Sequence, residues 1–285
     1  MLRVALLLGL LSAVSAEAAG WKTLAPGMEL KEFRAHTPSS IGNSRITVVR
    51  IDPELWEFEF MGVSLSGEST GHTAREWCQS HNFTVAINAG MFDADWKTHT
   101  GFLRSGRHVN CRNVNDYQSV AAFNPRHGRD IPSFRIFDLD APGVTIKRIL
   151  RDYTVVVQNL RLIKRPGESV WLEQRKRWSE AALGEDDAGR ILFIFCRSPF
   201  AMRDLNRELL ASGIGIVAAQ HLEGGSEAQL YLHVGKVKRE MFGSYETFFR
   251  EDDGNDRTWP IPNVLGVRPR SPQQKEGGEG HFPYF

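Results

Sequence analysis

Apolar and polar positions alternate with period two along residues 55–63 (LWEFEFMGV), where Trp56, Phe58 and Phe60 interleave with Glu57 and Glu59. This is the pattern of a strand with one face in the core. Arg45 to Ile51 (RITVVRI) predicts a partner strand, with Asp52 and Pro53 as the turn between them. The pattern changes at 73–81 (TAREWCQSH), where Thr73 and Glu76 have the spacing of a capping box at a helix start. Short apolar runs predict further strands at Phe83 to Asn88, 101–104, 118–123, 133–137, 153–158 and 190–196, then at 215–222 and 228–234. A helix is expected over 199–212. Ser198 would be its N-cap, Pro199 its first residue and Gly213 its stop, with Met202, Leu205, Leu209 and Leu210 on one face. Strands outnumber helices, so the expected fold is α+β, a mixed and largely antiparallel sheet with few helices in one domain.

The two ends read differently. Arg3 followed by the apolar run Val4 to Val14 and the small residues Ala13, Ser15, Ala16, Ala18 and Ala19 predicts a signal peptide over 1–18. The run is too short for a spanning helix, and no later segment is long and apolar enough, so no integral membrane segment is expected after cleavage. The expected localisation is secreted or periplasmic. Residues 268–285 shift to Pro, Gln, Lys, Glu and Gly and predict a flexible tail. That leaves 19–267 as the folded domain.

The 285 residues are 41% hydrophobic and 24% charged with a net charge of +1, which suits a sizeable core and excludes a broadly cationic nucleic-acid binder. In an exported chain the cysteines admit one bridge. Cys196 ends an apolar run and reads as a buried thiol, so Cys78 and Cys111 are the pair that remains. No Cys/His group has zinc spacing, and the sequence calls for no metal or cofactor.

Chemistry gathers at strand ends. Asn88-Ala89-Gly90-Met91-Phe92-Asp93 closes an apolar strand with an amide, a loosened backbone and a carboxylate. An ordinary turn with an Asx hydrogen bond accounts for it equally well. Leu222-Glu223-Gly224-Gly225-Ser226-Glu227 is a second such end; it is a hairpin turn or the charged lining of a sugar pocket, and it lacks the Lys-Ser/Thr of a phosphate loop. Trp178-Ser179-Glu180-Ala181-Ala182-Leu183-Gly184 follows Arg175-Lys176-Arg177 and by itself reads as a basic turn entering a strand. His72, His99 and His221 are the nearest histidines, and a lone histidine is more often structural.

Together and in this order, these segments resemble the phosphodiester glycosidase family, over about residues 45 to 235. The Asn88 to Asp93 segment falls on the family's Asn-Gly-Gly-Phe-Phe strand end, and Gly101 to Gly106 on its Gly-hydrophobic hairpin. Val157-Gln158-Asn159-Leu160-Arg161-Leu162-Ile163 falls on its Gly-Gly-Pro-x-Leu-Val strand. Glu180 to Gly184 falls on Arg-Thr-Ala-Val-Gly, and Leu222 to Glu227 on Leu-Asp-Gly-Gly-Gly-Ser.

The resemblance implies a carbohydrate or glycan-phosphodiester substrate and hydrolysis of the bond between an anomeric carbon and a phosphodiester oxygen. Glu223 and Asp93 would be the carboxylate pair, with Glu180 a third candidate. Asn88, Gln158 and Asn159 would hold sugar hydroxyls. Gly90 would let the ligand approach the main chain, while Gly224, Gly225, Ser226 and Glu227 would line the anionic end. The departures are Glu223 for Asp, Ser226-Glu227 for Gly-Ser, and Glu180 for Arg, which reverses a charge. An Arg there would hold a phosphodiester by bidentate bonds. Arg104, Arg107, Arg175, Lys176 and Arg177 are the cations that stand in reach by sequence. Two alternatives follow. One is a catalytically inactive carbohydrate-binding or envelope-interaction protein of the same fold. The other is a calcium site at Asp93, Glu223 and Glu227.

Overall fold

The computed structural model describes residues 20–126 and 130–270; the expected signal peptide, and residues 271–285 of the expected tail, lie outside them. In chain order the strands begin with β1 (Lys22–Ala25), β2 (Met28–Arg34), β3 (Arg45–Ile51) and β4 (Trp56–Gly62). The short helix α1 (Val63–Ser66) and α2 (Ala74–His81) precede β5 (Val85–Asn88). Then come β6 (Leu103–Ser105), β7 (His108–Cys111), β8 (Ser119–Pro125) and β9 (Phe134–Asp138). Helix α3 (Ile146–Asp152) leads into β10 (Tyr153–Asn159), β11 (Arg161–Lys164), β12 (Glu168–Ser169), β13 (Trp178–Asp186) and β14 (Ile191–Phe200). Helix α4 (Met202–Ala211) is followed by β15 (Ile216–Gly224), β16 (Gln229–Val234), β17 (Val237–Phe242) and β18 (Asn263–Pro269).

Three sheets form, in the orders β1-β2-β3-β14-β13-β15-β11-β12, β7-β6-β10-β8-β9 and β17-β16-β5-β18-β4. Strand accounts for 46% of the chain, in one compact body, and every ladder among the described residues is antiparallel. Their inner faces share one core. Phe58 and Phe60 of β4, Ile87 of β5, Phe123 of β8, Val157 of β10, Leu183 of β13, Phe193 of β14 and Leu265 of β18 all enter it. The predicted alternation of β4 holds, with Trp56, Phe58 and Phe60 buried and the glutamates half-buried. Each outer face is covered by a helix: α4 on the large sheet, α2 on the sheet of β5, and α3 on that of β8 and β10.

Helix α2 starts as its sequence predicts. The Thr73 hydroxyl accepts from the Glu76 N–H, and the Glu76 carboxylate accepts from the Thr73 N–H. Helix α4 does not. Strand β14 continues through Ser198 and Pro199 to Phe200, and the helix begins at Met202 after Ala201, with no side-chain cap. Ser198 is unavailable because its hydroxyl accepts from the Ser44 N–H at 2.8 Å. Leu210 stands 36% exposed, off the packed face that Met202, Leu205 and Leu209 fill. The expected tail boundary falls inside β18, whose register with β4 runs to Pro269. No bridge joins Cys78 to Cys111: all three cysteines are free and buried.

Candidate functional site

Strands β5 and β15 end together, so the two motifs meet although more than a hundred residues separate them. Asn88 makes the join. Its Nδ2 donates to the Glu227 carbonyl at 3.0 Å, and its Oδ1 accepts from the Gln229 N–H at 2.7 Å. Fully buried and with both ends of its amide occupied, Asn88 clasps the 224–229 turn and does not reach out to a sugar.

Cross-strand register does the same for the third motif. Glu180 pairs with Gly224 and Ala181 with Glu223 where β13 lies against β15. Glu180 is fully buried, and His221 Nδ1 sits 2.8 and 2.9 Å from its two oxygens. The Trp178 indole N–H donates to Glu180 Oε2 at 2.6 Å, and the Trp178 ring stands edge-on to His221. Burial raises the Glu180 pKa against the opposing pull of His221 and Trp178. Burial works to lower that of His221, but Glu180, with Glu223 and Glu246 behind it, carries it upward. Glu180 is therefore held by protein partners, and it replaces the expected arginine with a carboxylate that anchors an imidazole.

Above this pair lies a group of carboxyls. Glu223 is partly buried, with Oε1 accepting from the Gly224 N–H at 3.0 Å. Burial pushes its pKa up to about 8, His221 and the Gly224 bond oppose the rise, and Glu227 and Glu246 add to it. Burial likewise raises Glu227 and Glu246. Glu246 was not signalled by the sequence, because it lies in a connection with no motif. Its carboxylate packs on Gly225, where a Cβ would come within 2.7 Å of Oε2, and Gly225 has a left-handed φ of 63°. Gly224 lies flat against the Trp178 ring, where a Cβ would come within 2.9 Å. Gly224, expected to line the anionic end, has its N–H taken by the Glu223 carboxylate. The Ser226 hydroxyl donates inward to the Ser244 carbonyl at 3.2 Å.

Asp93 follows the Asn88 strand end. It lies exposed beyond β5, its N–H donating to the Thr98 carbonyl. Tyr117 links it to Glu223: burial raises the Tyr117 pKa, and Asp116, Glu223 and Asp93 raise it further. Gln158 holds the segment that carries Tyr117. Its Nε2 donates to the carbonyls of Asn115 and Tyr117 at 3.0 and 2.7 Å, and its Oε1 accepts from the Phe102 N–H at 3.1 Å. Asn159 donates to the Ala89 carbonyl at 3.0 Å. A side chain at Gly90 would run into Asn159 Oδ1 and His99 Cε1, so the glycine is required by these neighbours. His99 hydrogen-bonds the Gln158 carbonyl and is pushed by burial down to about 4. Gln158 and Asn159, expected to hold sugar hydroxyls, instead shape the wall.

Lys176 acts on Glu246, Arg177 turns to Ser40, and Arg104 turns to the Gly106 carbonyl. His72 lies elsewhere, paired with Glu68. Among the described residues no group of three or more His, Cys, Asp or Glu side chains is placed to hold a metal ion, which removes the calcium reading.

Comparison with known proteins bears on family and fold. The phosphodiester glycosidase family model matches residues 81–268. The fold is similar to the catalytic domain of zebrafish N-acetylglucosamine-1-phosphodiester alpha-N-acetylglucosaminidase, auto-inhibited by its pro-peptide. The TM-score is 0.62 at 13% identity, over 89% of this chain and 87% of that one. It is also similar to a hypothetical protein from Synechocystis, with TM-score 0.59 and 15% identity over 90% of this chain and 65% of that one. No curated protein matches the chain. With the family model covering well over half its length, the chain belongs to the phosphodiester glycosidase family.

Proposed function

We propose that this chain is an exported hydrolase that cleaves the bond at the anomeric carbon of a sugar-1-phosphodiester or a related glycoside in an extracellular or envelope glycan. The observation that carries the reading is the position of Glu223 at the meeting point of three strand ends, partly buried and bonded to the Gly224 N–H, where burial pushes its pKa up to about 8. A protonated carboxyl there can give its proton to the leaving oxygen as the glycosidic bond breaks. Asp93, exposed and with its charge felt at Tyr117 as that of Glu223 is, is the second carboxylate, which would activate water or attack the anomeric carbon. His221 orients and stabilises: fixed by Glu180 through Nδ1, it lowers the Glu223 pKa from below and keeps the acid within a usable range. Glu180 is a positioning residue.

Release of reducing sugar from the methyl phosphodiester of N-acetylglucosamine 1-phosphate, and from the matching aryl glycoside, tests the proposal. Wild-type turnover that Glu223→Gln abolishes is the expected result. Equal turnover by that variant removes Glu223 from the mechanism. One observation favours a second reading, a carbohydrate-binding protein without catalysis: Glu180 stands where the family arginine is expected, and its carboxylate is taken up by His221 and Trp178. Glycan binding with no turnover of either substrate would decide for it.

A further inference from the structure

Ser44, Asn82, Trp96, Asn124 and Phe248 are the non-glycine residues with positive φ among those described. Small polar residues tolerate that conformation through local hydrogen bonds, whereas large apolar ones pay for it and rarely adopt it. Trp96, with φ 54°, and Phe248, with φ 71°, nevertheless do so, and each is turned out of the fold, 48% and 84% exposed. Core packing does not explain either. Backbone strain kept at an exposed side chain is a pointer to a functional role for it.

Their turns share one construction. The first starts at Asp93, whose carbonyl accepts from the Trp96 N–H at 3.0 Å, and the Phe92 ring lies 4.9 Å behind the indole. The second starts at Glu246, whose carbonyl accepts from the N–H groups of Phe249 and Arg250 at 3.1 and 3.0 Å, while Phe248 N–H donates to Glu251. Each turn thus begins at a candidate acid and carries an exposed aromatic, Trp96 as the fourth residue from Asp93 and Phe248 as the third from Glu246. The Glu246 carboxylate packs on Gly225, two residues past Glu223, and Asp93 stands five residues past Asn88, whose amide bonds the Glu227 carbonyl. Beside the Tyr117 segment a cavity of 250 Å³ continues the surface, lined by Asp116, Gln118, Arg161 and Trp171 among others.

We propose that Trp96 and Phe248, each on a turn next to the strand ends that carry Glu223, are stacking platforms for sugar rings, so that the site takes an internal stretch of a glycan chain and not a terminal sugar alone. This rests on the glycosidase reading above. The chemistry fits a polysaccharide: aromatic faces cover the C–H faces of sugar rings, and interleaved carboxylates, an amide and a guanidinium serve the hydroxyls. An anionic bilayer fits poorly, since Asp93, Asp95, Glu246, Glu251, Asp252 and Asp253 share these turns with Lys97 and Arg250 alone.

Calorimetric titration of the full chain with maltohexaose, cellohexaose and N-acetylchitohexaose, each beside its monosaccharide, tests the proposal. At least one hexasaccharide should bind about tenfold or more tighter than its monosaccharide, and Trp96→Gly and Phe248→Gly should each remove about tenfold of that gain. Glycine relieves the left-handed backbone, so both variants should melt no lower than wild type, which separates loss of a platform from loss of the fold. Turnover with no dependence on chain length would overturn the platforms and leave the glycosidase reading standing. No chain-length gain for any of the three sugars would overturn the platforms, as would variants that change self-association in sedimentation while leaving hexasaccharide affinity intact; the latter would make these turns a protein contact.

Discussion

His221 Nδ1 lies 2.8 Å from Glu180 Oε1, and neither residue meets solvent appreciably. A buried imidazole held at one nitrogen by a carboxylate has a fixed ring plane, so its other nitrogen is fixed too. Glu180 is thus the support of a histidine.

Removing either partner strands the other. Glu180→Ala leaves His221 and the Trp178 N–H without their acceptor and should cost about 3–5 kcal/mol in denaturant unfolding. Glu180→Gln keeps the shape and an acceptor but removes the charge. Because Glu180 is what lifts the His221 pKa against burial, the histidine should titrate lower in that variant, as followed by its ring-proton NMR shifts.

Asn88 should behave as a clasp. Asn88→Ala orphans the Glu227 carbonyl and the Gln229 N–H, both deep in the β5–β16 junction. Chemical denaturation should show a loss of roughly 2–4 kcal/mol. Turnover should fall along with stability, since the turn carrying Glu223 and Glu227 is then untied. Full activity at full stability would mean the clasp is idle.

The acidic cluster makes stability depend on pH in a set direction. Between the ordinary carboxylate value and about 8, native Glu223 keeps a proton that the unfolded chain has already released. Rising pH therefore favours the unfolded state through this window, and the contribution levels off above it. Glu180, Glu227 and Glu246 are raised as well and push the same way. Glu223→Gln should remove its share of that slope, raising Tm by roughly 3–6 °C at pH 8 and by little at pH 5.

Reducing agent should not change the melting temperature. Cys78, Cys111 and Cys196 are free, and burial pushes the thiols of Cys78 and Cys196 up, away from the reactive thiolate form. A fall in Tm on adding dithiothreitol would contradict this arrangement.

Local signals were legible in the chain; cross-strand ones were not. Thr73 and Glu76 satisfy one another within a single turn, so the start of α2 can be read from four residues. Ser198 has the same look of a cap, but its hydroxyl is claimed by Ser44, which is 154 positions away. Strand β18 is masked by Gly266 and Pro269, although Gly266 is needed because a side chain there would strike the Phe83 ring. At the site, the meeting of the Asn88 and Glu223 ends follows from motif order. The roles within it do not. Asn88, Gln158 and Asn159 look like sugar ligands until their amides are found bonded to backbone. Glu180 looks like a free acid until β13 registers against β15 and delivers His221 to it.

The account turns on Glu223 acting as a proton donor, and the pH dependence of kcat for sugar release by the wild-type chain tests that most directly. The expected profile holds through neutrality and falls with an apparent pKa near 8, the value to which burial pushes this carboxyl. A rate that climbs through pH 8, or a falling limb that persists unchanged in Glu223→Gln, would contradict it.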